Sequence, residues 1–313
     1  MTGGECDKSK SVSTGRMAVV GMFDGVHLGH RFLLDALKAE ASRRGLAPLS
    51  VTFSNHPLEI ISPAKAPLLL TGSDEKRAFI AGEGVETVVM PFDGRLRDTS
   101  SADFLLMLRR EYGVEAMLLG FNNRFGHDAP RDFGEYCRLG RECGVEIVQA
   151  PEFQADGSKV SSSEIRRLVS SGDVAEASRL LGRPYSVTGT VGHGHAIGRT
   201  IGFPTANLNV DPRRLLPAEG VYAAEALLPD GERRGAVVNT GRRPTVEGNN
   251  KAPLSVEAHI IGYSGDLYGT PLTLSFVARI RPERKFSSLE TLKAGIATDL
   301  CAAADLLSSH RLY

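Results

Sequence analysis

From Met17 to Val148 short apolar runs alternate with longer stretches whose apolar residues recur at helical spacing, and this alternation constrains the fold more than any other feature of the chain. The run MAVVGMF reads as a strand ending at Asp24-Gly25. A helix follows, in which Leu33, Leu34, Leu37 and Ala41 share a face and Gly45 supplies the stop. Further strands are predicted at Leu49–Phe53, Thr87–Met90, Ala116–Leu119 and Glu146–Val148, with helices at about Asp74–Gly82, Ala102–Tyr112 and Asp132–Cys143. Parallel neighbours need a crossover that is usually helical, so the pattern implies a doubly wound parallel sheet of Rossmann-like type. Its ligand belongs at the carboxyl ends of the strands.

After about Leu181 the text changes to short β-rich runs at Tyr185–Val191, Gly220–Leu228, Gly235–Asn239, Leu254–Ile261 and Pro271–Ile280, separated by Gly, Pro and Asp-Gly. Pro229-Asp230-Gly231 suits a hairpin turn. These runs imply a small antiparallel β-barrel. A final helix closes it, with Leu289, Leu292, Ile296 and Leu300 on one stripe and Ser287 with Glu290 as its capping box. A length of 313 residues suits two domains better than one stretched core. The expected division is a disordered tail at 1–16, a first domain at 17–183 and a second at 184–313, with no internal repeat.

Thirty-seven Lys and Arg balance 37 Asp and Glu, which leaves no global field for a polyanion, so neither nucleic acid nor an anionic membrane is an expected partner. No window approaches the ~18 to 20 apolar residues that span a bilayer, and the first sixteen residues lack the apolar stretch of a secretory signal. A soluble cytoplasmic protein, monomeric or weakly homo-oligomeric, is expected. Cys6, Cys137, Cys143 and Cys301 form no C-x-x-C pair and are expected to be reduced and mostly buried.

The first chemical constellation is Phe23-Asp24-Gly25-Val26-His27-Leu28-Gly29-His30, which sets two imidazoles three residues apart where the first strand enters the first helix. A helix start offers N–H groups and a positive dipole end to phosphate, and Gly29 permits close approach. Imidazole N–H groups there can stabilise charge building on phosphoryl oxygens. The alternatives are a loop that happens to carry two surface histidines, or a metal site, for which no carboxylate or thiolate completes a set nearby. Downstream, Ser161-Ser162-Ser163-Glu164-Ile165-Arg166 opens another helix through an S-x-x-E cap and gathers hydroxyls, amides and a guanidinium suited to a triphosphate. Standing alone, it is equally an ordinary capped surface helix.

Taken together, FDGVHLGH and SSSEIR resemble the H-x-G-H and S-S-T-x-I-R signatures of the nucleotidylyltransferase superfamily. Thr52-Phe53-Ser54-Asn55-His56-Pro57, Leu70-Thr71 leading to Glu75-Lys76, and Gly120-Phe121-Asn122-Asn123-Arg124-Phe125-Gly126 narrow the resemblance to the FMN adenylyltransferase half of bacterial bifunctional riboflavin kinase/FAD synthetases. The resemblance implies that His27, His30 and Arg166 hold ATP phosphates. It also implies that the turn at His56 and the loop carrying Asn122, Arg124 and Phe125 line the flavin and nucleotide cleft. Ser163 stands for the family's Thr, Ser54-Asn55 for Asp-Pro, and Asn122-Asn123 for Asp-Phe.

The second constellation runs from Gly189 through Gly192, Gly194, Gly198 and Arg199 to Gly202-Phe203-Pro204-Thr205-Ala206-Asn207. Glycine-rich backbone after a strand can wrap phosphates with its amides. Thr205 and Asn207, two apart, project from one face of an extended strand and offer hard oxygens to Mg²⁺. The alternative is that they only finish a turn after Pro204. The text G-F-P-T-A-N-L resembles the riboflavin kinase signature, and Gly220-Val221-Tyr222, Asn239 to Thr245, Val256-Glu257-Ala258-His259 and Gly265 to Gly269 resemble later motifs of that family in order. The resemblance implies a six-stranded barrel in which Thr205 and Asn207 position Mg-nucleotide and Glu257 is the catalytic base. By its local pattern alone, Glu257 is equally a solvent-facing residue of an alternating strand.

The expected activity is therefore ATP-dependent phosphorylation of riboflavin to FMN in the second domain and adenylylation of FMN to FAD in the first, with Mg²⁺ as cofactor. Two rivals are a chain in which only the kinase works and a flavin-responsive binding protein without turnover.

Overall fold

The computed structural model describes residues 15–120, 123–153, 160–193, 198, 202–242 and 254–310. Its elements run β1 (Arg16–Val20), α1 (Leu28–Arg44), β2 (Ala47–Phe53), α2 (Leu58–Ile61), α3 (Ser73–Gly82), β3 (Glu86–Met90), α4 (Gly94–Arg97), α5 (Ser101–Tyr112), β4 (Val114–Leu119), α6 (Phe133–Cys143) and β5 (Glu146–Gln149). Then come α7 (Ser162–Ser171), α8 (Val174–Leu181), β6 (Tyr185–Gly192), β7 (Ala206–Asn209), β8 (Gly220–Leu227), β9 (Arg233–Arg242), β10 (Leu254–Ile260), β11 (Pro271–Arg281) and α9 (Leu289–His310). Two compact units divide the chain. One comprises Met1–Phe23, Gly29–Pro67 and Ser73–Gln154; the other comprises Asp24–Leu28, Leu68–Gly72 and Ala155–Tyr313.

The first unit is the parallel sheet, in the order β3-β2-β1-β4-β5. Strand β1 is central and covered on both faces, which is why Met17, Ala18 and Val19 are all buried and its sequence shows no alternation. On one side Ala18, Leu49 and Val51 share a core with Phe104, Leu105 and Leu108 of α5. Helix α5 begins where the Ser100 hydroxyl accepts from the Asp103 N–H, and it stops at Gly113, whose φ of 66° lies in the left-handed region. Asp132 and Gly144 bound α6 in the same way. Successive strands move outward from β1 through β2 to β3 and then jump to β4 on the other side of β1, so the sheet's switch point lies between β1 and β4.

The second unit is a closed antiparallel barrel, ordered β10-β7-β6-β11-β8-β9. Strand β10 alternates cleanly, with Val256, Ala258 and Ile260 inside. Strand β8 does not: Tyr222, Ala224 and Ala226 face the barrel core, while Val221 and Ala223 pack with Ala303 and Leu307 of α9. Covering both faces of that strand leaves Glu225 as its one charged residue. A Cβ at Gly235 would stand 2.8 Å from Leu307 Cδ1, so a larger residue there would push the Leu307 side chain aside. Helices α7 and α8 contribute Ile165, Leu168, Val174 and Leu180 to the cluster that also holds Tyr185 and Phe276. The buried Tyr222 hydroxyl is satisfied by Ala218 O at 2.6 Å.

Helix α9 starts one residue later than its expected capping box allows. Ser288 and Thr291 exchange bonds, Thr291 N–H to Ser288 Oγ at 3.2 Å and Ser288 N–H to Thr291 Oγ1 at 3.1 Å, so Ser287 with Glu290 is out of register. The helix is tied to β11 by a fork of Arg281 onto Asp299, at 2.8 and 2.7 Å. Asp299 is only 3% exposed. Removing one partner strands the other charge, so Asp299→Ala is expected to cost about 3 kcal/mol. A urea midpoint equal to the parent's would contradict that.

Cys137, Cys143 and Cys301 are free thiols, but only Cys143 is buried and Cys301 is exposed on α9, which corrects the expectation that the thiols are mostly buried. Cys6 lies outside the described residues, as do 1–14 of the expected tail; β1 already begins at Arg16. No helix among the described residues is long and apolar enough to cross a membrane.

Candidate active sites

The chain leaves β1 in a conformation that side-chain-bearing residues seldom adopt: φ is 48° at Phe23, 85° at Gly25 and 39° at Val26. Such strain persists only where surrounding bonds over-determine it. Here they do. The Asp24 carboxylate, 2% exposed, accepts from the N–H groups of Leu70 and Thr71 and from Arg166 Nη2 at 2.6 Å. Ser162 Oγ donates to Asp24 O at 2.9 Å, and Gly25 N–H donates to Thr71 Oγ1 at 3.1 Å. Arg183 donates to the carbonyls of Gly25 and Val26 at 2.6 and 3.1 Å.

Ser161 caps α7 as expected, accepting from Glu164 N–H at 3.3 Å. The reciprocal half of the box does not form, because the Glu164 carboxylate is held by Arg167. Ser163 is exposed in the first turn. Arg166 also donates through Nε to Leu68 O at 2.9 Å. The structure thus gathers Asp24, Gly25, His27, Ser162 and Arg166 in the second unit. Gly29 and His30 lie in the first turn of α1, which has no acidic residue to offset its dipole.

His27 is 6% exposed, and its pKa is lowered from 6.5 to about 4. Burial is the main cause, reinforced by Arg183 and Arg166 and opposed by Asp24 and a backbone hydrogen bond. The ring is neutral at pH 7 and able to donate one N–H. The unfolded chain takes up a proton at His27 that the folded chain excludes, so this contribution is intact above pH 6.5 and is lost as pH falls from there toward 4. The expected loss is about 3 kcal/mol. His27→Gln should flatten stability over that interval, and an unchanged slope in urea titrations would contradict the assignment.

In the first unit the Phe23 ring meets the His30 imidazole edge-on, with centroids 5.2 Å apart. A cavity of about 480 Å³ opens where β1, β2 and β4 end, at Val20, Phe53 and Leu119, which is the switch point of the sheet. Its lining includes the apolar Phe92, Phe104 and Phe125 and the polar Arg124 and His127. Phe125 is packed between Phe104 and Tyr136, with centroids at 5.4 and 4.9 Å. This volume and lining suit one flat aromatic ring system. His56 stands beside the cavity rather than in it, since Pro57 is the lining residue of that turn. Its Nδ1 accepts from Leu58 N–H at 3.1 Å, which puts the ring proton on Nε2.

Two of the departures from the family pattern have structural partners. Asn55 exchanges hydrogen bonds with the backbone of Phe92, both at 2.9 Å, and Asn123 Nδ2 donates to Val20 O at the end of β1. Asn122 lies outside the described residues. Lys76, 2% exposed, donates to Met22 O at 3.1 Å and Phe53 O at 2.6 Å, joining the ends of β1 and β2. No local pattern marks a lysine as buried, so this role was not legible in the sequence.

In the barrel the register carries the information. Glu257 of β10 stands opposite Asn207 of β7 and, on its other side, opposite Asn239 of β9; Asn207 in turn faces Gly192. Since Val256 and Ala258 point into the core, this row lies on the outer face, with Asn207 only 7% exposed. Cross-strand neighbours lie about 5 Å apart at Cβ. Asn239 belongs to this row and was missed as a site residue because register cannot be read from a single strand. Pro204 and Thr205 line a cavity of about 450 Å³ together with Val191, Ala258 and Tyr268. His259 Nδ1 donates to Pro204 O at 2.8 Å, and His193 stacks on Tyr268 with centroids 4.2 Å apart. Gly198 O accepts from Phe203 N–H at 2.8 Å, and a Cβ on Gly198 would strike Phe203 O. Gly194 and Arg199 lie outside the described residues.

Among the described residues no group of three or more His, Cys, Asp and Glu forms a metal cage. Thr205 and Asn207 offer two neutral oxygens, a donor set that fits a hard cation completing its shell with phosphate and water.

A Rossmann-like parallel sheet whose first strand runs into a strained polar loop, followed by a closed antiparallel barrel with Glu257 in register with Asn207, sets out two transferase folds in tandem. A family model for FAD synthetase matches residues 9–164, and one for riboflavin kinase matches residues 181–307. The bifunctional riboflavin kinase/FMN adenylyltransferase of Pseudomonas fluorescens is 38% identical, over 95% of each chain. Its counterpart in Escherichia coli K12 is 36% identical over 95% of this chain and 94% of its own, and that of Bacillus subtilis 168 is 32% identical over 93% and 92%. A solved structure described as a macrolide-efflux protein from Streptococcus pneumoniae matches with a TM-score of 0.80 at 28% identity, over 93% of this chain and 94% of that one. The chain belongs to the bifunctional riboflavin kinase/FMN adenylyltransferase family, with both family regions in the expected order.

Proposed function

We propose that this chain converts riboflavin to FAD in two ATP-dependent steps, with the kinase region at 184–313 acting first and the adenylyltransferase region at 17–183 second. The observation that carries the reading is that each region keeps its own ATP-directed cluster: Glu257 across from Asn207 in the barrel, and the Asp24 loop held by Arg166 and Ser162 after β1.

In the first step the riboflavin 5′-hydroxyl oxygen attacks the γ-phosphorus of ATP, the bond to the bridging oxygen of ADP breaks, and Glu257 takes the hydroxyl proton, giving FMN and ADP. Thr205 and Asn207 would hold Mg²⁺ on the nucleotide, where the ion neutralises charge on the phosphate oxygens. Gly192, Gly198 and Pro204 shape the backbone around the nucleotide, with Gly194 and Arg199 assigned there by the family pattern.

In the second step a phosphate oxygen of FMN attacks the α-phosphorus of ATP and pyrophosphate leaves. That nucleophile is already charged and needs no base. The work left to the protein is alignment and charge stabilisation. Neutral His27, His30 and the Arg166 guanidinium serve the phosphates, while Phe125, Arg124 and the turn at His56 serve the flavin side. Riboflavin, FMN and ATP are the partners in this reading, with no nucleic acid or membrane.

Positional labelling tests it. ATP labelled at the γ-phosphorus should mark FMN, and ATP labelled at the α-phosphorus should mark FAD alone. No flavin labelled from either position would refute the reading.

A further inference from the structure

Arg183 lies outside the residues that match FAD synthetase, at 9–164, and inside those that match riboflavin kinase, at 181–307. Its backbone is fixed by the end of α8: Gly182 takes φ of 71°, and Arg183 N–H returns to Ser178 O at 3.2 Å. From there its side chain reaches back to the nucleotide loop. Nη2 donates to Gly25 O at 2.6 Å and Nη1 to Val26 O at 3.1 Å.

The geometry of the peptide group gives this grip a consequence. In a planar trans peptide the carbonyl of one residue and the N–H of the next point in opposite directions. The chain has no cis peptide among the described residues. With the carbonyls of Gly25 and Val26 drawn to one guanidinium, the N–H groups of Val26 and His27 are turned away from it, toward the opposite side of the loop. Two successive N–H groups presented in this way, after a residue at positive φ, form the kind of concavity that binds anions. Val26 is β-branched and held at φ of 39°, a conformation it would leave without an external hold. The Asp24 bonds fix the start of the loop, and Arg183 fixes the two peptides that follow.

We propose that Arg183 is a positioning residue for adenylyl transfer, its fork on the Gly25 and Val26 carbonyls aiming the Val26 and His27 N–H groups at an ATP phosphate. The proposal rests on the adenylyltransferase reading above and adds that a residue of the kinase-matched stretch sets the adenylyltransferase's phosphate loop. The guanidinium also adds to the forces that keep His27 neutral, which supplies a readout independent of turnover.

The test compares Arg183→Gln and Arg183→Lys in the full chain, following FAD formation from FMN, FMN formation from riboflavin, and the His27 titration by NMR. In the Gln variant, FAD formation should fall about 100-fold, the size of loss that misaligned phosphate donors produce. Riboflavin phosphorylation should stay within about twofold of the parent, and the His27 pKa should rise above its parental value of about 4 while staying below 6.5, because burial, the larger cause, remains. Lysine keeps a cation able to bridge two carbonyls, so it should recover most of the rate and leave His27 where it is. FAD formation within about twofold of the parent in the Gln variant would overturn the proposal. So would equal loss of both activities in the two variants, which would mark Arg183 as general support of the fold. If the parent itself made no FAD, the adenylyltransferase reading would fail on its own. An unmoved His27 titration in the Gln variant would then overturn the placement of Arg183 separately.

Discussion

Glu257→Ala is expected to abolish FMN formation from riboflavin, lowering turnover by about 10³-fold, while FAD formation from supplied FMN stays within about twofold of the parent. The size of the effect follows from the job assigned to the residue: a primary hydroxyl is a poor nucleophile until its proton has somewhere to go. The separation of the two activities follows from location. Glu257 sits on β10 in register with Asn207 and Asn239, in the family region matched by riboflavin kinase. The fold should not suffer, because the barrel core on that strand is made by Val256, Ala258 and Ile260 and the Glu257 side chain points the other way. Glu257→Gln keeps the shape and removes the base, and it should lose nearly as much activity. Kinase turnover at the parental level in either variant would show that another group takes the proton.

His30→Ala should do the reverse, reducing FAD formation from FMN and ATP by about 10²-fold or more while riboflavin phosphorylation continues. His30 stands in the first turn of α1, where the helix dipole favours anions, and its ring meets Phe23 edge-on. It is partly exposed, unlike His27, so truncation removes a donor without opening a buried void. The loss should fall mainly on kcat if the imidazole acts on charge that builds in the transition state. A variant that makes FAD at the parental rate would place the phosphate site elsewhere.

How much of this was legible beforehand differs from element to element, for physical reasons. Strand and helix positions in the first region came through clearly, because hydrophobic period and end signals such as Ser100, Gly113, Asp132 and Gly144 act locally. The Ser161 cap was visible for the same reason. The cap of α9 was misplaced by one residue, since Ser287 with Glu290 and Ser288 with Thr291 are both acceptable pairs in adjacent registers and local pattern does not choose between them. A further limit concerns the change of text near Leu181. It marks where parallel gives way to antiparallel pairing, whereas α7 and α8 pack into the same buried cluster as Tyr185 and Phe276.

For the sites, the residue types were legible and the geometry was not. Glu257, Thr205 and Asn207 could be named from their motifs. That Glu257 lies across from Asn207, with Asn239 completing the row, depends on long-range register. The positive φ at Phe23 and Val26 leaves no trace in composition, because neither residue favours it; the bonds from Thr71, Ser162, Arg166 and Arg183 that hold it come from distant parts of the chain. Asn55 looked like a loss relative to the family pattern until its two bonds to Phe92 gave it a structural task.

The central claim is that one polypeptide cuts ATP at two different phosphorus atoms in succession, and a time course tests it most directly. Purified full-length protein is mixed with riboflavin, ATP and Mg²⁺, and the flavins are separated chromatographically at intervals. The account predicts that FMN accumulates first and FAD follows at its expense, with pyrophosphate released in step with FAD. Riboflavin remaining unchanged, or FMN accumulating with no FAD at any time, would contradict it.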